Sequence, residues 1–386
     1  MTITFFSNFL NDHQLPLCLS LQRLIGDNNF RFVAHEEIAP ERIRMGFKDM
    51  NSIYPFVVKA YENQALFEEA QRLMLSSDVV IIGSSHNMPT DQRLKEGKLT
   101  FRYNERVLKK GDLYWFDPRV QHSAYLQWGK HRNHNLYELC ASAYTARDIS
   151  LFGFPKSKCF KWGYFPIVKR YEDIDDLIRK KDVSKQQVDV TMLWAGRLID
   201  WKHPEMSVKL AKRLKAEGVK FRLDIIGIGS EAPQIKSLIQ KYNLADCVNM
   251  LGAMPPEEVR KHMEDTEIFL FTSDKNEGWG AVLNEAMNSA CAVVANNEIG
   301  SVPFLLKHGY NGMVFNKGNF NSFYQMVKIL ATDNAEKKRL GKNAYLTLTD
   351  TWNSEHAATS LIELIHSINN GTRCFIEEGP CSPVKI

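Results

Sequence analysis

The sequence predicts an α/β protein built from two Rossmann-like domains that face one another across a cleft. Three observations predict this. The chain has 386 residues, enough for two domains of ordinary size. From about residue 188, short β-branched runs alternate with longer amphipathic stretches, the pattern of βα units on a parallel sheet. The first half repeats that alternation less regularly.

In the second half the expected strands are "VTMLWAG" (190 to 196), "FRLDIIG" (221 to 227), "VNMLG" (248 to 252), "IFLFTS" (268 to 273), "CAVVAN" (291 to 296) and "GMVFN" (312 to 316). Helices are expected to start near Pro204, Glu231, Pro256, Gly280 and Val302. In the first half, strands are read at "TITFFS", "FRFVA", "DVVIIGSS", "KLTFRYN" and "LYELCAS", with a helix over Tyr61 to Leu75. The expected boundaries are therefore a first domain over 1–165, a charged linker over 166–187, a second domain over 188–350, a helix over 351–369 packing back on the first domain, and a loose tail over 370–386.

Composition narrows the function classes. Apolar residues make up 44%, charged residues 24% and aromatics 11%, so disorder and fibrous repeats are excluded. Net charge is +4, but residues 1 to 170 hold 23 Lys/Arg against 17 Asp/Glu. That basic first half is compatible with phosphate-rich ligands or an anionic membrane surface, yet it lacks the dense clusters of nucleic-acid binders. The seven cysteines are scattered with no C-x-x-C pair, which points to a reducing compartment and a cytoplasmic location. "MTITFFSNFL" reads as a first strand and not as a signal peptide, and no window suits a membrane span.

The chemistry concentrates in "TSDKNEGWGAVLNEAMNSACAVVANNEIGSVP". Glu277 follows a strand, where open α/β sheets bind ligands. Glu285 comes eight residues later, inside the next helix. A carboxylate suits vicinal hydroxyls because it accepts a hydrogen bond from each. Gly278, Gly280 and their neighbours would let backbone N–H groups approach an anion. "WAGRLIDWKHPE" sets Arg197 and Lys202 just after the first strand of the same domain, two cations able to clamp a pyrophosphate. Two decoys are set aside. Gly227-Ile228-Gly229-Ser230-Glu231-Ala232 fits a dinucleotide fingerprint but follows the second strand of its domain, and Asp173-Ile174-Asp175 fits a D-x-D metal motif but lies in the linker. No metal site is expected.

Together, Gly196-Arg197-Leu198, Lys202, the "IIGIG" turn at 225 to 229, the Glu277/Glu285 pair and Gly300-Ser301-Val302-Pro303 resemble the donor domain of retaining GT-B glycosyltransferases, family 4. The resemblance covers about 190 to 350 strongly and the first 165 residues weakly. It implies catalytic roles for Arg197, Lys202 and Glu277, with the two cations on the donor diphosphate and Glu277 on the transferred sugar. It implies that Glu285 holds the nucleotide ribose, and that Gly196, Gly227, Gly229, Gly278, Trp279, Gly280, Ala281 and Val282 line the donor site. The implied donor is a nucleotide diphosphate sugar, UDP-sugar above all, with no cofactor required. The implied acceptor is a saccharide or lipid-linked saccharide in surface polysaccharide synthesis, reached at the inner face of the plasma membrane.

Ser301, Phe304 and His203 depart from the family pattern, standing where Gly, Glu, and Gly or Asn are usual. On the acceptor side, His13 beside a helix start, His86 after a strand, and Arg102 and Glu105 after another are the candidates. Two other readings stay open: a noncatalytic partner subunit of another glycosyltransferase, and a sugar-nucleotide epimerase or dehydrogenase.

Overall fold

A computed structural model describes residues 1–40, 43, 48–84, 86–185 and 188–384. The chain divides into two compact units, Met1–Ile167 with Trp352–Ile386, and Val168–Thr351. Each is built on one parallel sheet.

The first unit holds β1 (Ile3–Ser7), β2 (Phe30–Ala34), β3 (Val57–Lys59), β4 (Val79–Ile82), β5 (Thr100–Asn104), β6 (Leu136–Cys140) and β7 (Cys159–Lys161), in the order β3-β2-β1-β4-β5-β6-β7. Every residue of β1 and of β4 is buried, as a strand covered by helices on both faces must be. The short strands β3 and β7 add to the five read from the sequence, three residues each being too few to show a period.

The second unit holds β8 (Val190–Ala195), β9 (Phe221–Ile226), β10 (Val248–Gly252), β11 (Ile268–Phe271), β12 (Ala292–Asn296) and β13 (Met313–Phe315), in the order β10-β9-β8-β11-β12-β13. This is the 3-2-1-4-5-6 order of a doubly wound sheet, whose strand order reverses between β8 and β11. The loops that follow those two strands both carry candidate residues, at the place where open α/β sheets bind ligands.

Two stretches differ from the sequence reading. Within 166–187 the chain forms a helix, Ile174–Ser184, capped by the Asp173 side chain on Asp175 N–H. Its Leu177 and Ile178 pack with Ala290 and Tyr345, and Lys181 is buried with its ammonium on the carbonyls of Met263 (2.9 Å) and Thr266 (2.5 Å). A narrow apolar stripe under a charged face disguised the helix, and the stem of Lys181 supplied apolar surface that its charge concealed. Asp175 of the D-x-D decoy pairs with Lys342 at 2.7 Å.

The end of the chain is docked as well. Cys381 N–H donates to Lys161 carbonyl (2.7 Å), Lys161 N–H donates to Ser382 carbonyl (2.8 Å), and Pro383 bridges Phe160. These bonds cover the open edge of β7, whose backbone groups would otherwise face water. The helix Ser354–Asn369 packs on the helix Leu15–Ile25, with Arg23 reaching Glu355 at 3.2 Å.

Candidate functional site

The loop after β8 runs Gly196-Arg197-Leu198-Ile199 and closes in a 3-10 turn, Asp200–Lys202, before the helix Pro204–Ala216. It lies flush on the turn after β9. A Cβ on Gly227 would stand 1.8 Å from Gly196 carbonyl oxygen, and one on Gly229 2.2 Å from that of Leu198. The two glycines of the decoy fingerprint therefore serve backbone-to-backbone contact that fixes the loop carrying Arg197 and Lys202.

Lys202 points to the loop after β11. Its Nζ lies 2.5 Å from Glu277 Oε2, which also accepts from Ser273 Oγ at 3.0 Å. The two side chains are only 11% and 12% exposed, so the pair is largely shielded from water. The loops are also joined through backbone: Asp274 N–H donates to Trp201 carbonyl (2.9 Å), and Thr272 Oγ1 donates to Lys202 carbonyl (2.7 Å). Arg197 is exposed and stands over the Trp201 ring at 5.9 Å, with Lys202 over the same ring at 4.9 Å. Two cations thus share one aromatic platform at the reversal point of the sheet.

His203 occupies a left-handed conformation, φ +48°, which explains why Gly or Asn would serve there. Its imidazole sits between Asp274 (Nε2 to Oδ2, 3.6 Å) and Glu205 (Nδ1 to Oε1, 3.4 Å). Asp274, then Glu205, push its pKa up to about 10, so the ring is a cation at neutral pH. Burial raises both carboxyls, but the His203 contact and its companions hold each below its ordinary value.

Gly280 also has positive φ, and a Cβ there would strike Phe271 Cζ at 2.4 Å and Glu277 Cγ at 3.1 Å. The Trp279 side chain is fully buried and donates to Asn284 Oδ1 (2.9 Å), leaving its backbone to line the loop. Ser301 Oγ donates to Trp279 carbonyl at 2.5 Å, and the Phe304 ring lies 6.5 Å from that of Trp279. The two departures from the family pattern therefore brace the Gly278–Gly280 turn. Ala281 and Val282 are half-buried at the start of the helix Val282–Asn288. Glu285, half-buried in its first turn, has its backbone carbonyl held by Ser289 Oγ at 2.9 Å.

In the first unit, His13 and Glu105 meet through Tyr164. The His13 and Tyr164 rings stack at 5.7 Å with planes 8° apart, and Tyr164 hydroxyl donates to Glu105 Oε1 at 2.7 Å. Lys109 holds the other oxygen at 2.5 Å. Arg102 goes elsewhere: its guanidinium donates to Gln127 Oε1 (2.8 Å) and lies 5.5 Å from the Trp128 ring. It is drawn by Glu138, its partner across the β5–β6 register, whose pKa burial raises to about 7. His86 is exposed, 3.9 Å from Glu36 and edge-on to His35.

Sequence reading missed Ser273, Trp201, Asp274 and Tyr164. Asp274 and Ser273 stand beside Glu277 in the same motif, and their polar character was the available signal. Tyr164 lies 59 residues from Glu105, and no local spacing encodes that contact.

Residues 175–347 match the family described as Glycosyl transferases group 1. This stretch is a glycosyltransferase domain. Arg197, Lys202, Glu277 and Glu285 all fall inside it. Among similar proteins, WcaL of Salmonella typhimurium, provisionally named a colanic acid biosynthesis glycosyltransferase, is 31% identical over 137 residues, 34% of each chain. The N-acetylgalactosamine-N,N'-diacetylbacillosaminyl-diphospho-undecaprenol 4-alpha-N-acetylgalactosaminyltransferase of Campylobacter jejuni is 29% identical over 166 residues, 43% of this chain and 44% of that protein. The aligned stretches thus span less than half of these relatives. Anabaena Alr3699/HepE, solved in complex with UDP, superposes with a TM-score of 0.68 over 95% of this chain and 100% of its own, at 14% identity. The chain therefore has the GT-B fold.

Proposed function

We propose that the protein is a retaining glycosyltransferase that moves a sugar from a UDP-sugar to a saccharide or lipid-linked saccharide acceptor in surface polysaccharide synthesis. The observation that carries this reading is the shielded Lys202–Glu277 pair beside Arg197, at the strand-order reversal of a glycosyltransferase domain. The UDP bound by Alr3699/HepE and the diphospho-undecaprenol acceptor in the Campylobacter protein's name support the donor and acceptor classes.

Arg197 and Lys202 hold the donor diphosphate and stabilise the negative charge that grows on it as the glycosidic bond breaks. Fixed cations do this without reorganising, because Glu277, Ser273 and the shared Trp201 ring already set the Lys202 ammonium in place. Glu277 has one oxygen committed to Lys202 and Ser273 and directs the other to the sugar. Glu285 accepts hydrogen bonds from the ribose hydroxyls. The sugar passes through an oxocarbenium-like state, and the leaving diphosphate takes the acceptor proton, so most of the rate effect is positional and electrostatic. His13, Tyr164 and Glu105 form the acceptor-side cluster of the first unit.

The test is incubation with a panel of labelled UDP-sugars and a lipid-linked saccharide extract, followed by mass spectrometry. A glycosylated acceptor of retained anomeric configuration is expected. An epimerised donor, or no consumption of any UDP-sugar by folded protein, would overturn the reading.

A further inference from the structure

We propose that His203 is a positioning residue of the transfer reaction: its imidazolium ties the loop after β8 to the turn after β11 and so sets Lys202 against Glu277. The proposal rests on the reading of Lys202 and Glu277 as donor-site groups and names what keeps them in register.

The ring does little for its own helix. His203 is the N-cap of Pro204–Ala216, makes no side-chain bond to the helix end, and holds a left-handed backbone that Gly or Asn enters more readily. A helix N-terminus favours anions, and Glu205 in the first turn already supplies one. A cation at this position opposes the helix it precedes. Its favourable contact outside that helix is with the loop after β11, where His203 Nε2 lies 3.6 Å from Asp274 Oδ2.

Asp274 shapes the turn that ends in Glu277. Its Oδ1 accepts from Asn276 N–H (2.8 Å) and Asn276 Nδ2 (2.9 Å), and its carbonyl accepts from Glu277 N–H at 3.0 Å. Its own N–H donates to Trp201 carbonyl (2.9 Å), the residue before Lys202. One Asp274 oxygen therefore sets the turn while the other is drawn to His203, and Lys202, next to His203 in the chain, closes the circuit on Glu277 Oε2 at 2.5 Å. The charged groups facing the ring are Asp274 and Glu205, the latter 3.9 Å from Lys209, with the Lys202–Glu277 pair alongside. Arg197 stands outside the circuit, on the part of its loop that lies flush on Gly227 and Gly229. Loosening the tie should thus leave donor binding nearly intact and lower the rate at which the leaving diphosphate meets its second cation.

The experiment measures kcat and KM for the UDP-sugar in wild type, His203→Asn, Asp274→Asn and Glu205→Gln, well below the lowest melting temperature of the four. Asp274→Asn keeps an oxygen for Asn276 and loses only the ion pair. It and His203→Asn should each lower kcat by about tenfold with KM changed less than about twofold, and the double variant should be no slower than the slower single. Glu205→Gln removes the anion on the helix side alone and should lower the melting temperature while keeping wild-type kcat. The ratio of wild-type to His203→Asn kcat should hold near neutral pH and close as pH passes about 10, where the ring loses its proton. Full kcat in His203→Asn, an equal loss in Glu205→Gln, or a ratio that does not close overturns the proposal, since the ring would then serve stability only. Wild type that consumes no UDP-sugar overturns the transferase reading and this proposal together, whereas active wild type beside an equally active His203→Asn overturns this proposal alone.

Discussion

His203 gives a prediction whose size can be worked from the structure. Its replacement by Asn keeps a residue that tolerates the left-handed backbone and removes only the cation between Asp274 and Glu205. The span from the ordinary value of 6.5 to about 10 sets a ceiling of about 5 kcal/mol. The side chain is 35% exposed and its contacts are 3.4 and 3.6 Å long, so solvent screening reduces this to about 1–2 kcal/mol. Because the folded-state value is raised, the contribution is complete below pH 6.5, falls as pH rises, and is gone above about 10. The charged groups facing the ring are Asp274 from the loop after β11 and Glu205 from its own helix, the latter also 3.9 Å from Lys209. Urea denaturation followed by tryptophan fluorescence at pH 6, 8 and 10 should show wild type ahead of His203→Asn at pH 6 and level with it at pH 10. A difference that is constant or grows with pH would refute the reasoning.

Two further predictions concern the same loops. Gly227→Ala puts a Cβ 1.8 Å from Gly196 carbonyl at φ +138°. It should cost roughly 2–3 kcal/mol by forcing the Arg197–Lys202 loop away, read as a lowered melting temperature together with weaker UDP binding. Lys202→Met leaves the Glu277 carboxylate shielded and without its cation and should cost about 2–3 kcal/mol, most of it recovered in Lys202→Met with Glu277→Gln. Sugar transfer should be lost in both variants, and transfer that returned with stability would place the cation outside the chemistry.

Much of the second unit was legible because its apolar runs are buried strands separated by helices with start signals. Pro204, Pro256 and Val302 begin helices where the sequence puts them, while the helix expected near Gly280 begins at Val282. That Arg197, Lys202 and Glu277 stand in loops at the carboxyl ends of strands was legible, since a parallel sheet sends all those loops to one edge. What was not legible is pairwise. Nothing in the spacing says that Lys202 grips Glu277, which lies 75 residues away, or that Tyr164 joins His13 to Glu105. Arg102 shows the same limit, because the pull of Glu138 exists only once β5 and β6 are in register. The helix at 174–184 was hidden by charges that cover one face only, and the docking of 381–383 on β7 by a strand too short to announce its open edge.

The central claim is that Arg197, Lys202, Glu277 and Glu285 grip one UDP-sugar at the edge of the second sheet. Calorimetric titration of UDP into wild type, Arg197→Ala and Glu285→Ala, each with its fold checked by melting, tests it most directly. The account predicts binding by wild type and a loss of roughly tenfold to a hundredfold in each variant, the size of one charge-assisted contact of about 1.5–3 kcal/mol. Equal affinity in all three folded proteins would contradict it.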